Sequence, residues 1–272
     1  VDSTILAIDL GGSKLAFCVS HNGDVVYEGL QATNKDFSSQ LRSIYEEVIY
    51  RFGKVAVVAI GVPGPVVGDT MGPSAPLKLS YPHSFSDCFP DVEELIVKND
   101  LHMALLAEIR EGHGLTFQNF VLVSISTGIG VAVAIDRLPL EIRTEMGHQK
   151  LGLTAAFNRP CINHSGCWAS MCSGRALEES GDTTDISVIQ EINVHAFANL
   201  AAAYDPSAIV VMGGVGLNRF NDLIPSTEAV SHHVLNHPGP KILCSELGDR
   251  IGVKGAMQAA KTCLNGKGLY FT

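Results

Sequence analysis

The chain has 272 residues, 46% hydrophobic and only 17% charged, with 19 Lys and Arg against 28 Asp and Glu for a formal net charge of -9. Globular chains average about 25% charged residues, so this one is rich in material to bury, in one large domain or two of about 100–150 residues. An acidic balance without a run of Lys or Arg argues against a nucleic-acid or anionic-membrane partner, and apolar stretches such as Val55–Ile60 fall far short of the ~20 residues that span a bilayer. The 27 glycines are dispersed, which excludes low-complexity arrays. Seven cysteines, three of them within Cys161–Cys172, make a poor disulfide framework and point to a reducing, cytoplasmic setting. The N-terminus enters a strand at once, so neither a signal peptide nor a DNA-binding helix-turn-helix is expected.

Ile5–Asp9 is an apolar run ending in a carboxylate, followed by the turn Leu10-Gly11-Gly12-Ser13-Lys14. Leu15, Phe17 and Val19 then alternate as in a half-buried strand, and His21-Asn22-Gly23-Asp24 is a hairpin signal leading into Val25–Tyr27. A glycine loop between antiparallel strands is not a P-loop, which joins a strand to a helix. Phe37, Leu41, Ile44, Tyr45, Val48 and Ile49 recur at helical spacing. Val55–Val62 reads as a buried strand broken by Pro63-Gly64-Pro65, and Leu95–Val97 as a strand ending at Asn99-Asp100, with helix over Leu101–Ile109.

The opening pattern then recurs as strand Phe120–Ser126, glycine turn Thr127-Gly128-Ile129-Gly130 and strand Val131–Ile135. Two such units about 115 residues apart suggest two similar halves rather than a solenoid. Segment 141–172 is irregular, and helices are expected near 174–180 and 187–204. A buried strand Ala208–Met212 runs into Gly213-Gly214; a helix near 217–235, a strand Ile242–Ser245 and a helix near 253–264 complete an α/β chain.

Three glycine turns end apolar strands. In Asp9-Leu10-Gly11-Gly12-Ser13-Lys14 the paired glycines let amides approach phosphate oxygens, Ser13 and Lys14 add a hydroxyl and a charge, and Asp9 suits a water-mediated hold on Mg²⁺. A tight hairpin with a surface Lys is the alternative. Thr127-Gly128-Ile129-Gly130 and Met212-Gly213-Gly214 are two further candidate cradles, and together the three favour nucleotide binding. Neither the P-loop nor the dinucleotide fingerprint is present. Asp100 stands between a strand and a helix, as an N-cap or as a base for a substrate hydroxyl that Asn99 orients. Phosphoryl transfer needs such a kit of cradles, metal and one base. Glu145-Met146-Gly147-His148 pairs a carboxylate with an imidazole. Cys161, His164 and Cys167 with His148 make four ligands suited to tetrahedral zinc, the alternative being a loop with two free thiols.

These motifs, in order, resemble the sugar kinases of the ROK family within the actin-like ATPase superfamily. Asp9–Lys14 matches the first phosphate motif, with Ser13 for the usual Thr, and Ile60–Val66 matches a family segment. Asn99-Asp100 matches the pair with the catalytic aspartate, Thr127–Gly130 the second phosphate motif, and Glu145–His148 the sugar-binding box. Asp205-Pro206 and Val210–Gly214 resemble the adenosine-side motif, and Gly255-Ala256 falls in the final helix.

The resemblance implies a two-lobed actin-like (ribonuclease H-like) fold, each lobe a mixed sheet flanked by helices. The small lobe would be 1–100 with the C-terminal helix 256–272 packed on it, the large lobe 101–255. ATP with Mg²⁺ would lie on Asp9, Gly11, Gly12, Ser13, Lys14, Thr127, Gly128, Gly130, Gly213 and Gly214, and a sugar on Asn99, Asp100, Glu145 and His148. Asp100 would be the general base for transfer to a hexose hydroxyl, the 6-hydroxyl by expectation; a non-catalytic sugar sensor is the alternative. A cytoplasmic homodimer is also implied. The family's zinc ligands are the box histidine and three cysteines arranged Cys-x-Cys-x-x-x-x-Cys. Here Cys167 aligns with the last, only Cys161 remains upstream at a different spacing, and His164 is the candidate to replace the missing thiol, loss of the zinc being the alternative. The family's sugar-contacting glutamate is Ala169 in this chain.

Overall fold

The computed structural model describes residues 3–141, 145–151, 159–161, 164–181, 185–234 and 238–266. They form two units, Val1–Arg110 with Arg250–Thr272, and Glu111–Asp249.

In the first unit β1 (Thr4–Leu10), β2 (Lys14–His21) and β3 (Asp24–Ala32) form an antiparallel meander. The β2–β3 turn places Asn22 at φ 56° and Gly23 at φ 96°, the left-handed pair that a two-residue hairpin prefers. Helix α1 (Phe37–Phe52) starts at Asp36, whose carboxylate accepts from the Ser39 amide at 3.1 Å. β4 (Val55–Val62) then pairs parallel to β1. A small sheet of β5 (Val66–Val67), β6 (Thr70–Met71) and β7 (His83–Ser84) follows. β8 (Glu94–Asn99) lies parallel beside β4 and leads directly into α2 (Asp100–Glu111).

The main sheet order is β3-β2-β1-β4-β8. Because side chains alternate across a strand, β1 feeds two cores. Leu6, Ile8 and Leu10 pack with Phe37, Leu41 and Val48 of α1, whereas Ile5 and Ala7 pack with Met103 and Leu106 of α2 and with Val253, Ala256 and Met257 of the last helix, Ile251–Leu264. A strand covered on both faces reads as an unbroken apolar run.

The second unit has β9 (Phe120–Ile125), β10 (Ile129–Ile135) and β11 (Leu138–Pro139), then α3 (Trp168–Cys172), α4 (Gly174–Ser180) and α5 (Ile186–Tyr204). β12 (Ala208–Met212), α6 (Gly214–Asn218), α7 (Phe220–Leu223), α8 (Thr227–Ser231) and β13 (Lys241–Cys244) complete it. Its sheet order, β11-β10-β9-β12-β13, repeats that of the first: an antiparallel meander, then two strands parallel to its first strand.

Four expectations change. The division falls after Arg110 rather than at 100, because α2 packs in the first unit's core, and the chain rejoins that unit at Arg250 rather than 256. The last helix ends at Leu264, as its reading near 253–264 expects, rather than running over 256–272 as the resemblance implies, and 267–272 lie outside the described residues. β10 begins at Ile129, so Gly130 sits in the ladder opposite Ser124 and the turn is only Ser126-Thr127-Gly128. The helix expected near 217–235 is broken into α6, α7 and α8. Pro225 has no N–H to continue it, Ser226 restarts it by accepting from the Ala229 amide at 3.2 Å, and Leu235 lies outside the described residues. Among the described residues no helix is long and apolar enough to cross a membrane.

The second core holds one buried polar relay. The Trp168 indole donates to Asn193 Oδ1 at 2.7 Å, and Asn193 Nδ2 donates to the Leu223 carbonyl at 2.7 Å. Asn193→Ala should therefore destabilise this unit by about 1–3 kcal/mol for each buried group left unpaired, read as a lower urea midpoint. An unchanged midpoint would show that the relay is replaceable by water.

Candidate active site

In the first unit, β1 brings Asp9 to the mouth of the Gly11–Ser13 turn. The turn is closed by Gly11 N–H donating to the Lys14 carbonyl at 2.8 Å. Thr33 then ties it down, its hydroxyl donating to the Gly11 carbonyl at 2.7 Å and its N–H to the Ser13 carbonyl at 3.0 Å. Gly12, Ser13 and Lys14 are left exposed. The turn is thus a tight hairpin with a surface Lys, and also one whose amides and hydroxyl are open to an anion. Thr33 carries no motif signal; only the sheet register brings it here.

Asn99 and Asp100 sit where β8 becomes α2, both half-buried. Asn99 donates to the Gly64 carbonyl at 3.2 Å and accepts the Leu101 N–H at 3.0 Å, so its amide is fixed by the Pro63-Gly64-Pro65 break and the helix start. The Leu101 N–H also donates to Asp100 Oδ1 at 2.8 Å. Burial pushes the Asp100 carboxyl up to about 6 despite these donors. Burial, and then the charge of Asp100, push Asp9 up to about 7. Among the described residues neither is paired with Lys or Arg. Two carboxyls in mutual repulsion suit a hard cation with oxygen ligands. The sequence pointed to each aspartate, but not to their coupling.

In the second unit, two of the expected cradles meet. The Gly174 N–H donates to the Ser126 carbonyl at 2.7 Å and the Arg175 N–H to the Thr127 carbonyl at 3.4 Å, which sets the start of α4 against the Thr127-Gly128 turn. Gly213 has φ 86°, and a β-carbon there would stand 2.5 Å from the Ile125 carbonyl oxygen, so only glycine lets β12 turn into α6 against the end of β9. Thr127, Gly128 and Gly214 are exposed around this junction.

Met146–His148 forms one 3-10 turn, with Glu145 exposed before it. Gly147 seats the turn on β10: a β-carbon there would lie 2.8 Å from the Ile129 carbonyl carbon. His148 Nδ1 stands 3.5 Å from Cys161 Sγ and 3.6 Å from Cys167 Sγ, and its ring meets that of His164 edge-on at 5.2 Å. One ligand atom from each of His148, Cys161, His164 and Cys167 lies within 4.8 Å of the others. Separations near 3.5 Å are the edges of a tetrahedron with arms of about 2.0–2.3 Å, the lengths of zinc bonds to nitrogen and sulfur. His164 Nε2 is buried with no hydrogen-bond partner among the described residues, which a metal would satisfy. Cys161 N–H donates to the His164 carbonyl at 2.6 Å, closing the knuckle. Cys172 stands apart, its thiol pushed far up by burial in the core. Ala169 is buried in α3.

A model of the ROK family matches residues 5–196. The chain is 24% identical over 263 residues to N-acetylmannosamine kinase of Vibrio cholerae serotype O1, covering 84% of this chain and 91% of that one. Among solved structures it is similar to the ROK hexokinase from Thermus thermophilus, with TM-score 0.75 and 22% identity over 97% of this chain and 99% of that one. It is also similar to a ROK family glucokinase from Streptomyces griseus in complex with glucose and AMPPNP, with TM-score 0.71 and 21% identity over 96% and 100% of the two chains. The likeness establishes the actin-like ATPase fold, with its mixed sheets flanked by helices.

The aspartate pair makes stability depend on pH. Both carboxyls keep their protons to higher pH in the folded chain than the usual 3.8, so the folded state binds extra protons between about pH 4 and 7 and loses stability as pH rises through that window. Asp9→Asn should flatten the fall and raise the metal-free Tm near pH 8 by roughly 2–4 °C for each kcal/mol recovered. Melts in chelator across this range check it; an unchanged pH profile would mean that the pair is fully hydrated.

Proposed function

This chain belongs to the ROK family, and on that premise we propose that it is an ATP-dependent sugar kinase, moving the γ-phosphate to a hydroxyl, the 6-hydroxyl in this reading, of a hexose or hexose derivative. The observation that carries the proposal is Asp100: a carboxyl at a strand end, free of any Lys or Arg partner among the described residues, with a pKa of about 6. That value suits a general base near neutrality, since it is ionised at pH 7 yet more basic than an ordinary carboxylate. With Oδ1 held by the Leu101 amide, Oδ2 is assigned to the attacking hydroxyl's proton. Asn99, fixed between Gly64 and Leu101, orients the sugar.

ATP phosphates are assigned in the first unit to Gly11, Gly12, Ser13 and Lys14, and in the second to Thr127, Gly128, Gly213 and Gly214. Gly130, within β10, has only a backbone role in shaping the turn. Mg²⁺, held through water by Asp9, would neutralise charge on the phosphates. In the second unit Glu145 and His148 bind sugar hydroxyls. Because His148 Nδ1 faces the two sulfurs, Nε2 is the atom left for the sugar. Zinc on His148, Cys161, His164 and Cys167 would cross-link the sugar-binding turn to the knuckle, a structural duty.

The test is purified protein with ATP, Mg²⁺ and a sugar panel that includes N-acetylmannosamine and glucose. Asp100→Asn should lower turnover by roughly 10²–10⁴-fold, and wild-type kcat/KM should fall as pH drops through about 6, where Asp100 takes up its proton. Sugar-independent ATP hydrolysis, unaltered by Asp100→Asn, would sink the kinase reading; calorimetric sugar binding without phosphate transfer would replace it with a sensor.

For zinc, the protein dialysed against buffer should retain about one ion per chain, released by chelator with a fall in Tm. His164→Ala should lose the ion. Absence of zinc from the wild type, or full retention in that variant, would refute the ligand set.

A further inference from the structure

The last helix begins beside the aspartate pair. Its second residue, Gly252, faces the Asp9 side chain: a β-carbon there would lie 2.5 Å from Asp9 Cγ and 2.9 Å from Oδ1. Carbon atoms settle at about 3.5–4.0 Å, so a methyl group would drive the carboxyl away by about 1 Å. Gly252 has an ordinary helical backbone, outside the positive-φ set. Glycine costs about 1 kcal/mol against alanine inside a helix, so conformational freedom does not account for it here. Space for a carboxylate does.

The elements around Asp9 also meet through glycines. Its partner across the parallel ladder is Gly61 of β4, and Gly61 in turn lies against Met103 Cγ and the Cα of Asp100, with a β-carbon reaching them at 3.2 and 3.5 Å. One helical turn after Gly252, on the same face, Gly255 packs on the backbone of Met103 in α2. The end of β1, the start of α2 and the start of the last helix therefore close on one another through glycines.

We propose that Gly252 is a positioning residue for Asp9: the missing side chain at this point of the last helix sets where the Asp9 carboxylate stands. The catalytic consequence rests on the kinase reading, in which Asp9 holds Mg²⁺ through water; the steric pairing does not. A 1 Å misplacement of a site group can cost on the order of 10²-fold in rate.

Two mutant cycles test it. In the kinetic cycle, Gly252→Ala should lower kcat roughly 10²-fold and raise the Mg²⁺ needed for half-maximal rate, with sugar KM little changed. Added to Asp9→Asn, it should bring no further loss. In the thermal cycle, Gly252→Ala should lower Tm, and that loss should vanish in the Asp9→Ala background, where the methyl group has room. If Gly252→Ala alone does not fold, recovery of a folded near-UV spectrum by Asp9→Ala/Gly252→Ala supports the pairing. Wild-type kcat and Mg²⁺ dependence in Gly252→Ala, or an equal Tm loss with and without the Asp9 side chain, overturns the proposal. If the wild type transfers no phosphate, the kinase reading fails while the thermal cycle still decides the pairing.

Discussion

Burying a carboxylate costs free energy, and burying two that repel each other costs more, yet the first unit is arranged so that this happens. β1 ends at Asp9 and β8 runs into Asp100, with β4 between them in the parallel ladder. A bulky residue in β4 at this level would hold the start of α2 off, and the residue there is Gly61. The apolar cores on the two faces of the sheet hold the strand ends in register against the repulsion. Local electrostatics thus oppose folding while packing imposes the geometry, and such conflicts concentrate where a site must be ready for a ligand. A cation would relieve the repulsion, which makes the metal-free protein the strained state.

The second unit repeats the sheet order and uses it differently. In both units the candidate groups stand at the carboxyl ends of the parallel strands, where open α/β sheets present their ligand-binding crevices. In the first, those ends carry carboxyls and an amide side chain. In the second, β9 and β12 end in Thr127-Gly128 and Gly213-Gly214, which offer backbone and one hydroxyl. The same strand order therefore presents carboxyl and amide side chains at the strand ends of one unit, and mainly glycine backbone with one hydroxyl at those of the other.

Much of this was legible in the sequence because it is local. Val55–Val62 and Ala208–Met212 are apolar runs bounded by Pro-Gly or Gly-Gly, and their limits in the structure are the same. Cys161, His164 and Cys167 lie within seven consecutive positions, so their spacing alone suggested ligands, and a short loop cannot carry them far apart. The break within the helix expected near 217–235 is local as well: Pro225 and Ser226 stand side by side in the sequence as a stop and a new start. What stayed hidden depends on long-range contact. Thr33 beside Gly11, Gly252 beside Asp9 and the raised pKa of the aspartate pair each need the sheet to be assembled first. β5, β6 and β7, two residues each, are too short to show a period.

The placement of Glu145 and His148 in the second unit follows from a continuous path into the core, not from the thiol cluster alone. Lys150 bridges to Cys167, and the Trp168 amide donates to the Gln149 carbonyl at 3.0 Å, so the residues just after His148 are bonded to the start of α3. Trp168 is fully buried and tied through Asn193 to Leu223. On its other side the turn rests on Ile129 through Gly147. The backbone of Glu145–His148 is therefore held from two directions by apolar burial and hydrogen bonds that need no ion. An ion's part would be narrower: the His148 ring can rotate about its side-chain bonds on a fixed backbone, and a metal at Nδ1 would remove that freedom. Zinc in this arrangement would set the direction of one imidazole nitrogen, while the core sets where the ring is attached.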